Sequence, residues 1–408
     1  MEIKLKNFGK IKEAEVKLDG LTLIAGKNDT GKSTVGKALF SIISSLKEYP
    51  DEFEKIKLDT FYREYFYKLM QVFQRKSDNV TLKKEMENLL PFRFRQQIAK
   101  SNLLEVLEKM KLANVAETNE DIKKAIAFLR KEETEIEKID EISRRASALT
   151  FFGNLNNSVY KGDLATIDYK HGDKKILSYE ITNNKLKSNF ETKNLGMSFN
   201  DIVFIDNPYV LENYKKPNSK YTEDLIEKKN NATKKLLTET FYKNILKEFE
   251  NIFNGGEFVV GKNGELKYKV NNDSDELEIH NIASGTKSFG LLYILLKTGM
   301  IGKDSLIVLD EPENHLHPAW QIKYAEIICK MTKDGFTFLI TSHSSDFIQA
   351  INLFSGKNEI KNKTSFYLAE KIEKTNYSNI KEKTSEMNVI FKNLVDPTDK
   401  FFEFLKNE

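Results

Sequence analysis

The chain has 408 residues, more than one hydrophobic core usually supports, so we expect two lobes or one domain with a large insertion. Hydrophobic residues form 40% and charged residues 31% of the sequence, which excludes a disordered chain. The 64 basic and 61 acidic residues leave a net charge of +3, too small for overall charge to indicate nucleic-acid binding.

The N-terminal pattern and the cysteine content indicate where the protein works. Met1 leads directly into an alternating pattern at Ile3 and Leu5, without an apolar stretch of signal-peptide length. No later run approaches the roughly 20 consecutive apolar residues of a membrane span. The single cysteine, Cys329, excludes an intrachain disulfide and fits a reducing compartment. The sequence therefore predicts a cytoplasmic protein with no membrane partner.

The first 25 residues predict three short strands whose apolar residues alternate or run together. Asp19-Gly20 precedes the third strand and is typical of a hairpin turn. The predicted strands are 2–7, 10–18 and 21–25.

A glycine-rich stretch follows the third strand and precedes a segment with helical apolar spacing. It contains Gly26, Lys27, Asn28, Asp29, Thr30, Gly31, Lys32, Ser33 and Thr34. Strand, glycine-rich turn and helix are the context of the P-loop pattern G-x-x-x-x-G-K-[ST], whose backbone N–H groups surround an anion at a helix N-terminus. Lys32 would then supply a charge for the β and γ phosphates of ATP, and Ser33 a hydroxyl for Mg²⁺. A chance match in a lysine-rich chain is the alternative.

The helix after this stretch should end near Tyr49-Pro50, because proline disfavours helical geometry in the residue before it. From there to about residue 157 the sequence is charged, poor in glycine and helical in pattern. A heptad counted from Ile122 places Glu132 at a d position and Ser143 at an a position, which argues against a coiled coil. We expect a compact helical insertion instead. One helix face in it is marked by Ile122, Ile126, Leu129, Ile136 and Ile139.

Strand patterns return between residues 165 and 205, with Asn183-Asn184 as a turn. The last of these strands ends at Asp206, and because Asn207-Pro208 follows rather than an acidic residue, we interpret it as a structural strand end. One helix is expected over 231–253, followed by a hairpin at 258–270 that turns at residues 263 and 264.

Two further patterns carry polar residues that suit nucleotide chemistry. Ser284 and Gly285 open a predicted helix, with Ser284 as its N-cap. Downstream, the apolar run 306–309 predicts a buried parallel strand that ends in Asp310 and Glu311. Asp310 suits the coordination of Mg²⁺, and Glu311 suits the orientation or deprotonation of a water that attacks the γ-phosphate. A strand end capped by charge is the alternative.

Histidines follow this acidic pair in two places. His315 and His317 are rejected as metal ligands, because no third ligand lies near and residues two apart do not share a helical face. A further apolar strand, 336–340, is followed by Thr341, Ser342 and His343. At such a strand end His343 can reach the γ-phosphate region, whereas a structural histidine is the alternative.

The order of these motifs resembles that of the ABC-type ATPases. Within them the sequence is similar to the RecF, SMC and OLD branch. The stretch from Glu311 reads E-P-E-N-H-L-H-P and matches the branch pattern E-P-E-x-x-L-H-P, while the stretch from Thr341 reads T-S-H-S and matches T-x-H-S. The resemblance covers residues 1–45 and 280–348.

The resemblance implies an α/β fold, a P-loop NTPase of ABC ATPase type with a mixed sheet core and a large helical insertion. It also implies an enzyme that hydrolyses ATP with Mg²⁺ as a dimer, with ATP between the P-loop of one subunit and Ser284-Gly285 of the other. No glutamine is assigned to the Q-loop. The expected segments are 1–50 and 158–355 for the ATPase core, 51–157 for the insertion, and 356–408 for a C-terminal strand and helix.

The resemblance also suggests a biological setting. OLD-type nucleases carry a Toprim domain with spaced acidic residues after the ATPase, whereas the residues after His343 hold a strand-like stretch at 365–369 and a helix rich in phenylalanine at 391–404. We therefore expect an ATPase that regulates a separately encoded effector, most simply a nuclease, in anti-phage defence, as in systems of Septu or PARIS type. A RecF-like or SMC-like ATPase that binds DNA in repair or chromosome maintenance is the alternative.

Overall fold

The structure is a computed structural model, and it divides the chain into two compact units, Met1–Lys47 with Ser143–Glu408, and Glu48–Ile142. It describes all residues except 90–99, 114–118, 152–163, 191–198, 213–216, 218, 237–239, 271–275 and 395–408. The side chains of 48–52 and 315 also lie outside the description. The domain bounds expected from the sequence stay predictions.

The described strands and helices are numbered here in chain order. The strands are β1 (Glu2–Phe8), β2 (Ile11–Lys17), β3 (Leu21–Gly26), β4 (Ala165–His171), β5 (Lys174–Thr182), β6 (Lys185–Phe190), β7 (Asp201–Ile205), β8 (Glu257–Val260), β9 (Leu266–Lys269), β10 (Glu276–Glu278), β11 (Ser305–Asp310), β12 (Thr337–Ser342), β13 (Thr364–Lys371) and β14 (Ser378–Glu382). The α-helices are α1 (Lys32–Phe61), α2 (Tyr67–Lys76), α3 (Val80–Asn88), α4 (Lys100–Leu112), α5 (Asn119–Arg130), α6 (Glu135–Thr150), α7 (Lys220–Lys235), α8 (Lys243–Phe253), α9 (Ser284–Lys297), α10 (Pro318–Lys333) and α11 (Ser345–Lys357).

The main sheet of the larger unit is mixed. Its described strands follow the order β6-β5-β4-β1-β2-β14-β13-β3-β12-β11-β7. From β13 to β7 all neighbours are parallel, whereas the pairs β2-β1, β1-β4, β4-β5 and β5-β6 are antiparallel. The parallel strands read as continuous apolar runs because both of their faces are covered; every residue of β3 is buried. A separate sheet has the order β10-β9-β8.

Parallel pairing brings distant parts of the sequence to one edge. β12 pairs with β3 on one side and with β11 on the other. The carboxyl ends of these strands therefore lie side by side, and the P-loop, the acidic pair and the T-S-H-S stretch all start at this edge. This is an α/β P-loop NTPase fold with a mixed sheet, as predicted.

The smaller unit is helical and has its own apolar core. The core is formed by aromatic and aliphatic side chains from the end of α1, the π-helical turn Tyr62–Phe66, and α2 to α5. Its most deeply buried members include Phe61, Phe66, Phe73, Met86, Leu103, Leu107, Ile122 and Leu129.

The N-terminal strand predictions are confirmed, but two boundary predictions are wrong. β2 and β3 form no hairpin, because β14 and β13 lie between them in the sheet. The first helix does not end at Pro50 either, since α1 runs on to Phe61. Interior proline costs about 3 kcal/mol. Burial of Leu46 before it and of Phe53 after it stabilises helix on both sides.

Two predicted single helices are each two helices. The isoleucines predicted on one helix face are divided between α5 and α6, and Ile136 is exposed. The division occurs because Thr134 and Glu137 form reciprocal hydrogen bonds that begin a new helix there. The predicted helix 231–253 is divided between α7 and α8, where Tyr242 is left-handed with φ 52°.

Two predicted turns are confirmed. Asn183 and Asn184 both have positive φ, and they join β5 to β6. Gly264, with φ 80°, lies in the turn between β8 and β9. The predicted strand 365–369 lies within β13, and residues 387–394 are helical. Phe401, Phe402 and Phe404 of the predicted terminal helix lie outside the described residues.

Candidate functional site

The P-loop connects β3 to α1, and its glycines are sterically required. A Cβ at Gly26 would lie 2.7 Å from the Ala369 carbonyl oxygen, and Gly31 has φ 83°, a left-handed conformation that favours glycine. The Thr30 hydroxyl donates to the Lys27 carbonyl oxygen at 2.9 Å and closes the turn. Lys27, Asn28 and Asp29 are exposed, so the outer face of the loop is accessible to a ligand.

Lys32 is buried at the base of the loop, with 3% of its side chain exposed. Its Nζ donates to the carbonyl oxygens of Gly26 at 2.9 Å and Lys27 at 3.0 Å. Glu311 Oε1 lies 3.3 Å from the same nitrogen. A buried ammonium group needs such partners, and a nucleotide phosphate would offer it stronger, anionic ones.

Asp310 ends β11 beside the start of α1. Burial raises the pKa of its carboxyl group, while hydrogen bonds from the hydroxyls of Thr341 and Ser33 oppose that rise. The Thr341 Oγ1 to Asp310 Oδ1 distance is 2.5 Å. α1 can approach β11 this closely because residue 36 is glycine, where a Cβ would lie 2.8 Å from Val308 Cγ1. The structure thus brings the two predicted Mg²⁺ ligands, Ser33 and Asp310, close enough for the Ser33 hydroxyl to lower the pKa of Asp310.

Glu311 follows in a left-handed conformation, with φ 51° and ψ 52°, which is uncommon for a residue with a side chain. Its backbone N–H donates to Thr341 Oγ1 at 3.1 Å. Burial would raise the pKa of the Glu311 carboxyl group, but the hydrogen bond from Asn314 and the charges of Lys32 and His343 lower it below its usual range. Glu311 is therefore an ionised carboxylate at neutral pH, held near the P-loop lysine.

His343 lies at the end of β12, opposite the acidic pair. Its Nδ1 is 3.6 Å from Glu311 Oε2 and 3.5 Å from Glu313 Oε1. Within the described part of the chain, this nitrogen is buried without a hydrogen-bond partner. The structure thus places His343 beside Glu311, which in turn contacts Lys32.

Four residues at this site were not predicted from the sequence, because their partners are distant along the chain. Thr341 contacts both Asp310 and Glu311, and Glu313 contacts the loop that carries His343. Lys10 and Lys371 pair with Asp29 of the P-loop, and the Lys10 hydrogen bond is the main cause that lowers the pKa of Asp29. Nothing local in the sequence signals these contacts.

Asp206 lies nearer the site than its interpretation as a structural strand end suggests. β7 runs parallel to β11, so Asp206 follows its strand at the same edge as Asp310. Asp206 is exposed, yet partial desolvation of its carboxylate and the nearby Asp310 charge raise its pKa. The location of Asp206 follows from the parallel pairing of β7 with β11, which a sequence pattern does not reveal.

Ser284 and Gly285 begin α9, but Ser284 is not the N-cap; that residue is Ala283. A Cβ at Gly285 would lie 3.1 Å from the Trp320 ring, so the first turn of α9 lies near the start of α10. Two residues further on, buried Lys287 pairs with Glu212 at 2.7 Å and lies over the Tyr209 ring.

Of the two histidines before α10, His317 has a structural contact within its own helix. His317 is the N-cap of α10, and its Nδ1 accepts from the Ala319 N–H at 3.3 Å. The side chain of His315 lies outside the description. In the described part of the chain, no group of three or more His, Cys, Asp or Glu side chains is arranged to hold a metal ion.

Residues 1–348 match the family described as AAA ATPase domain. The chain belongs to this family. The match spans the P-loop, the acidic pair and His343, so residues 1–348 form an ATP-binding P-loop domain of the AAA ATPase family.

The chain is also similar to three known proteins, each at 28% identity or less. The uncharacterized protein MJ1542 of Methanocaldococcus jannaschii is 28% identical over 251 residues, which are 58% of this chain and 29% of that protein. The chain thus spans less than a third of that relative. An SMC head domain from Thermotoga maritima is 11% identical with a TM-score of 0.41, covering 93% of this chain and 97% of that one. An SMC head bound to the C-terminal winged-helix domain of ScpA is 11% identical with a TM-score of 0.46, covering 95% and 98%.

The donor set fits the cation that ATP-binding P-loop proteins use. Ser33 and Asp310 offer a hydroxyl and a carboxylate close to each other, and oxygen ligands are those that Mg²⁺ prefers. Mg²⁺ also takes few protein ligands and completes its shell with phosphates and water. None of the helices in the described ranges has the length and apolarity that crossing a membrane requires.

Proposed function

We propose that this protein is an ABC-type ATPase that hydrolyses ATP with Mg²⁺, using Glu311 to orient or deprotonate the attacking water. The observation that carries the proposal is the chain of contacts from Lys32 to Glu311 at 3.3 Å and from Glu311 to His343 at 3.6 Å. These distances support the proposal because Lys32, Glu311 and His343 lie close enough together to act on one phosphate group. The P-loop N–H groups at the start of α1 would bind the phosphates.

Each residue has a distinct proposed task. Lys27 to Thr34 would bind phosphates through the backbone, and Lys32 would leave the loop carbonyls for the β and γ phosphates. Ser33 and Asp310 would hold Mg²⁺, which when bound neutralises phosphate charge. His343, beside Glu311, would face the γ-phosphate.

We propose further that Ser284 and Gly285 act on the ATP bound to a second copy of the chain, so that ATP joins two subunits. Support comes from their location in the first turn of α9, where Gly285 leaves the space that a side chain would take from the Trp320 ring. A helix N-terminus is a favourable place for the γ-phosphate of the partner's ATP. Dimer formation would then report the nucleotide state.

We propose that this dimerisation regulates a separate effector, most simply a nuclease, in anti-phage defence. β13 and β14, which follow the His343 loop, are strands of the ATPase sheet itself, so this part of the chain supports the nucleotide site. The effector assignment rests on the motif resemblance.

Two experiments test these proposals. The purified protein should hydrolyse ATP only with Mg²⁺, and the complex isolated from its native host should contain a second protein whose nuclease activity depends on ATP. A protein that purifies alone and restricts phage alone would contradict the effector proposal. If instead duplex DNA stimulates hydrolysis, and binding weakens steeply with salt, the protein is a DNA-binding ATPase of RecF or SMC type.

A further inference from the structure

Glu313 is a buried carboxylate that receives hydrogen bonds from three successive residues. It lies in the 3-10 turn Pro312–His315, with 3% of its surface exposed. Its Oε1 accepts from Ser342 Oγ at 2.7 Å, from the His343 N–H at 2.9 Å and from the Ser344 N–H at 3.3 Å. A carboxylate this deeply buried is tolerated because several donors surround one oxygen.

These hydrogen bonds determine the shape of the segment between β12 and α11. The Ser344 side chain accepts from the Phe347 N–H as the N-cap of α11, and it donates to Gln321 of α10 at 2.9 Å. The segment is thus fixed at one end by the sheet and at the other by two helices, while Glu313 fixes its middle. His343 lies in that middle.

The second oxygen of Glu313 has no hydrogen-bond partner among the described residues, and the same is true of His343 Nδ1. The distance between Glu313 Oε1 and His343 Nδ1 is 3.5 Å. Glu311, not Glu313, makes the contact with Lys32. Glu313 therefore contacts the histidine and its backbone, whereas Glu311 faces the P-loop.

We propose that Glu313 is a positioning residue that holds His343 against Glu311 and acts on ATP hydrolysis only through His343. The inference rests on the proposed ATPase function and deepens it. Glu311 and Glu313 come from one short turn, so a single structural element would supply the base and also hold the histidine beside it.

Kinetics of Glu313→Ala and Glu313→Gln test the proposal. Because misplacing a catalytic group by about 1 Å can lower a rate about 100-fold, Glu313→Ala should lower kcat by about that factor and leave KM for ATP within about 3-fold. Glu313→Gln keeps one acceptor oxygen, so its kcat should fall by about 10-fold or less. Glu326→Gln, which removes a carboxylate from α10, is the matched control and should leave kcat unchanged. A Glu313→Ala enzyme with wild-type kcat would contradict the proposal.

A double-mutant cycle with His343→Ala separates this role from general stabilisation. If Glu313 acts through His343, the double variant should be no slower than His343→Ala alone, because both changes remove the same interaction. Independent, additive losses would overturn the inference. Should the alanine variant of Glu313 not fold, the cycle is run with Glu313→Gln.

Amide hydrogen exchange tests the positioning without relying on hydrolysis. In Glu313→Ala, which removes the acceptor of both backbone hydrogen bonds, the His343 and Ser344 amides should exchange about 10-fold faster than in the wild type, while amides in the middle of β12 keep their protection. Unchanged protection at both amides would overturn the inference. If the wild type hydrolyses no ATP, the proposed function fails, but faster exchange would still show that Glu313 holds the loop.

Discussion

At the scale of single residues, the site is organised by a competition for Lys32. Its ammonium group is buried and shared between two loop carbonyls and Glu311. ATP would bring phosphate oxygens that bind a cation more strongly than neutral carbonyls do. Lys32 would therefore turn towards the phosphates, and Glu311 would lose a counter-ion and become a better base.

We expect Lys32→Ala to abolish productive ATP binding and to lower the affinity for ATP by at least about 100-fold. A hydrogen bond to a charged group is worth about 1.5–3 kcal/mol, and this variant loses more than one. Fluorescent-nucleotide titration measures this directly. Lys323→Ala removes an exposed lysine from α10 and serves as the control. Unchanged nucleotide affinity in Lys32→Ala would refute the assignment of the P-loop.

Glu311→Gln, unlike Lys32→Ala, should affect ATP hydrolysis and not ATP binding. The amide keeps the shape of the side chain but cannot accept a proton, so ATP should remain bound while hydrolysis slows by about 100-fold to 10,000-fold. Size-exclusion chromatography with ATP should then show more dimer than in the wild type. If the variant hydrolyses ATP at the wild-type rate, another residue orients the water.

The P-loop residues and the acidic pair could be predicted because each lies in a short pattern that carries its own chemistry. Thr341, Glu313 and Lys371 could not, because they contact Asp310, His343 and Asp29 only after the chain has folded. The catalytic and binding roles of the predicted residues stay predictions.

At the scale of elements, the distance between α1 and β11 controls the site. Gly36 faces Val308 and Phe204, and a Cβ there would lie 2.8 Å and 2.9 Å from their nearest atoms. Both neighbours are fully buried, so they have little room to move. Close approach at Gly36 brings α1 near β11, and Ser33, one turn earlier, therefore lies near Asp310.

Gly36→Ala should therefore destabilise the fold by about 1–3 kcal/mol, despite alanine's better helix propensity, because overpacking a core is costly. It should also weaken Mg²⁺-dependent ATP binding by separating Ser33 from Asp310. Thermal unfolding and nucleotide titration measure the two effects. Gly356→Ala is the matched control in α11, where the nearest atom belongs to the flexible Lys361 side chain, and it should be neutral or stabilising. A Gly36→Ala protein as stable as the wild type would contradict the packing argument.

Element boundaries were the least predictable part of the fold. Periodicity found the apolar residues of α5 and α6 but not the break between them, although Thr134 and Glu137 carry a capping-box pattern that signals it. Asp19-Gly20 is a true turn signal, since Gly20 has φ 77°, but turn chemistry does not reveal that β13 and β14 enter the sheet between the two strands.

At the scale of the whole molecule, the sheet order gathers motifs from both ends of the chain. β3 lies between β12 and β13, so the P-loop is flanked by strands that occur more than 300 residues later. Apolar runs could indicate that β11 and β12 are buried and parallel, but neither the runs nor the motif resemblance predicted the order of the strands. Ser284, by contrast, opens α9 rather than following a strand of this sheet.

Mixing two inactive variants tests whether the site is composite. Lys32→Ala removes the P-loop charge, and Ser284→Arg blocks the start of α9. Each variant alone should hydrolyse ATP at least about 100-fold more slowly than the wild type, as expected for the loss of charge stabilisation. A mixed dimer, however, pairs the intact P-loop of the Ser284→Arg chain with the intact Ser284 of the Lys32→Ala chain. One working site is thus restored, and equal mixing should recover up to about a quarter of wild-type activity, because half of the dimers are mixed and each has one site of two. If every site lies within a single chain, mixing will recover nothing.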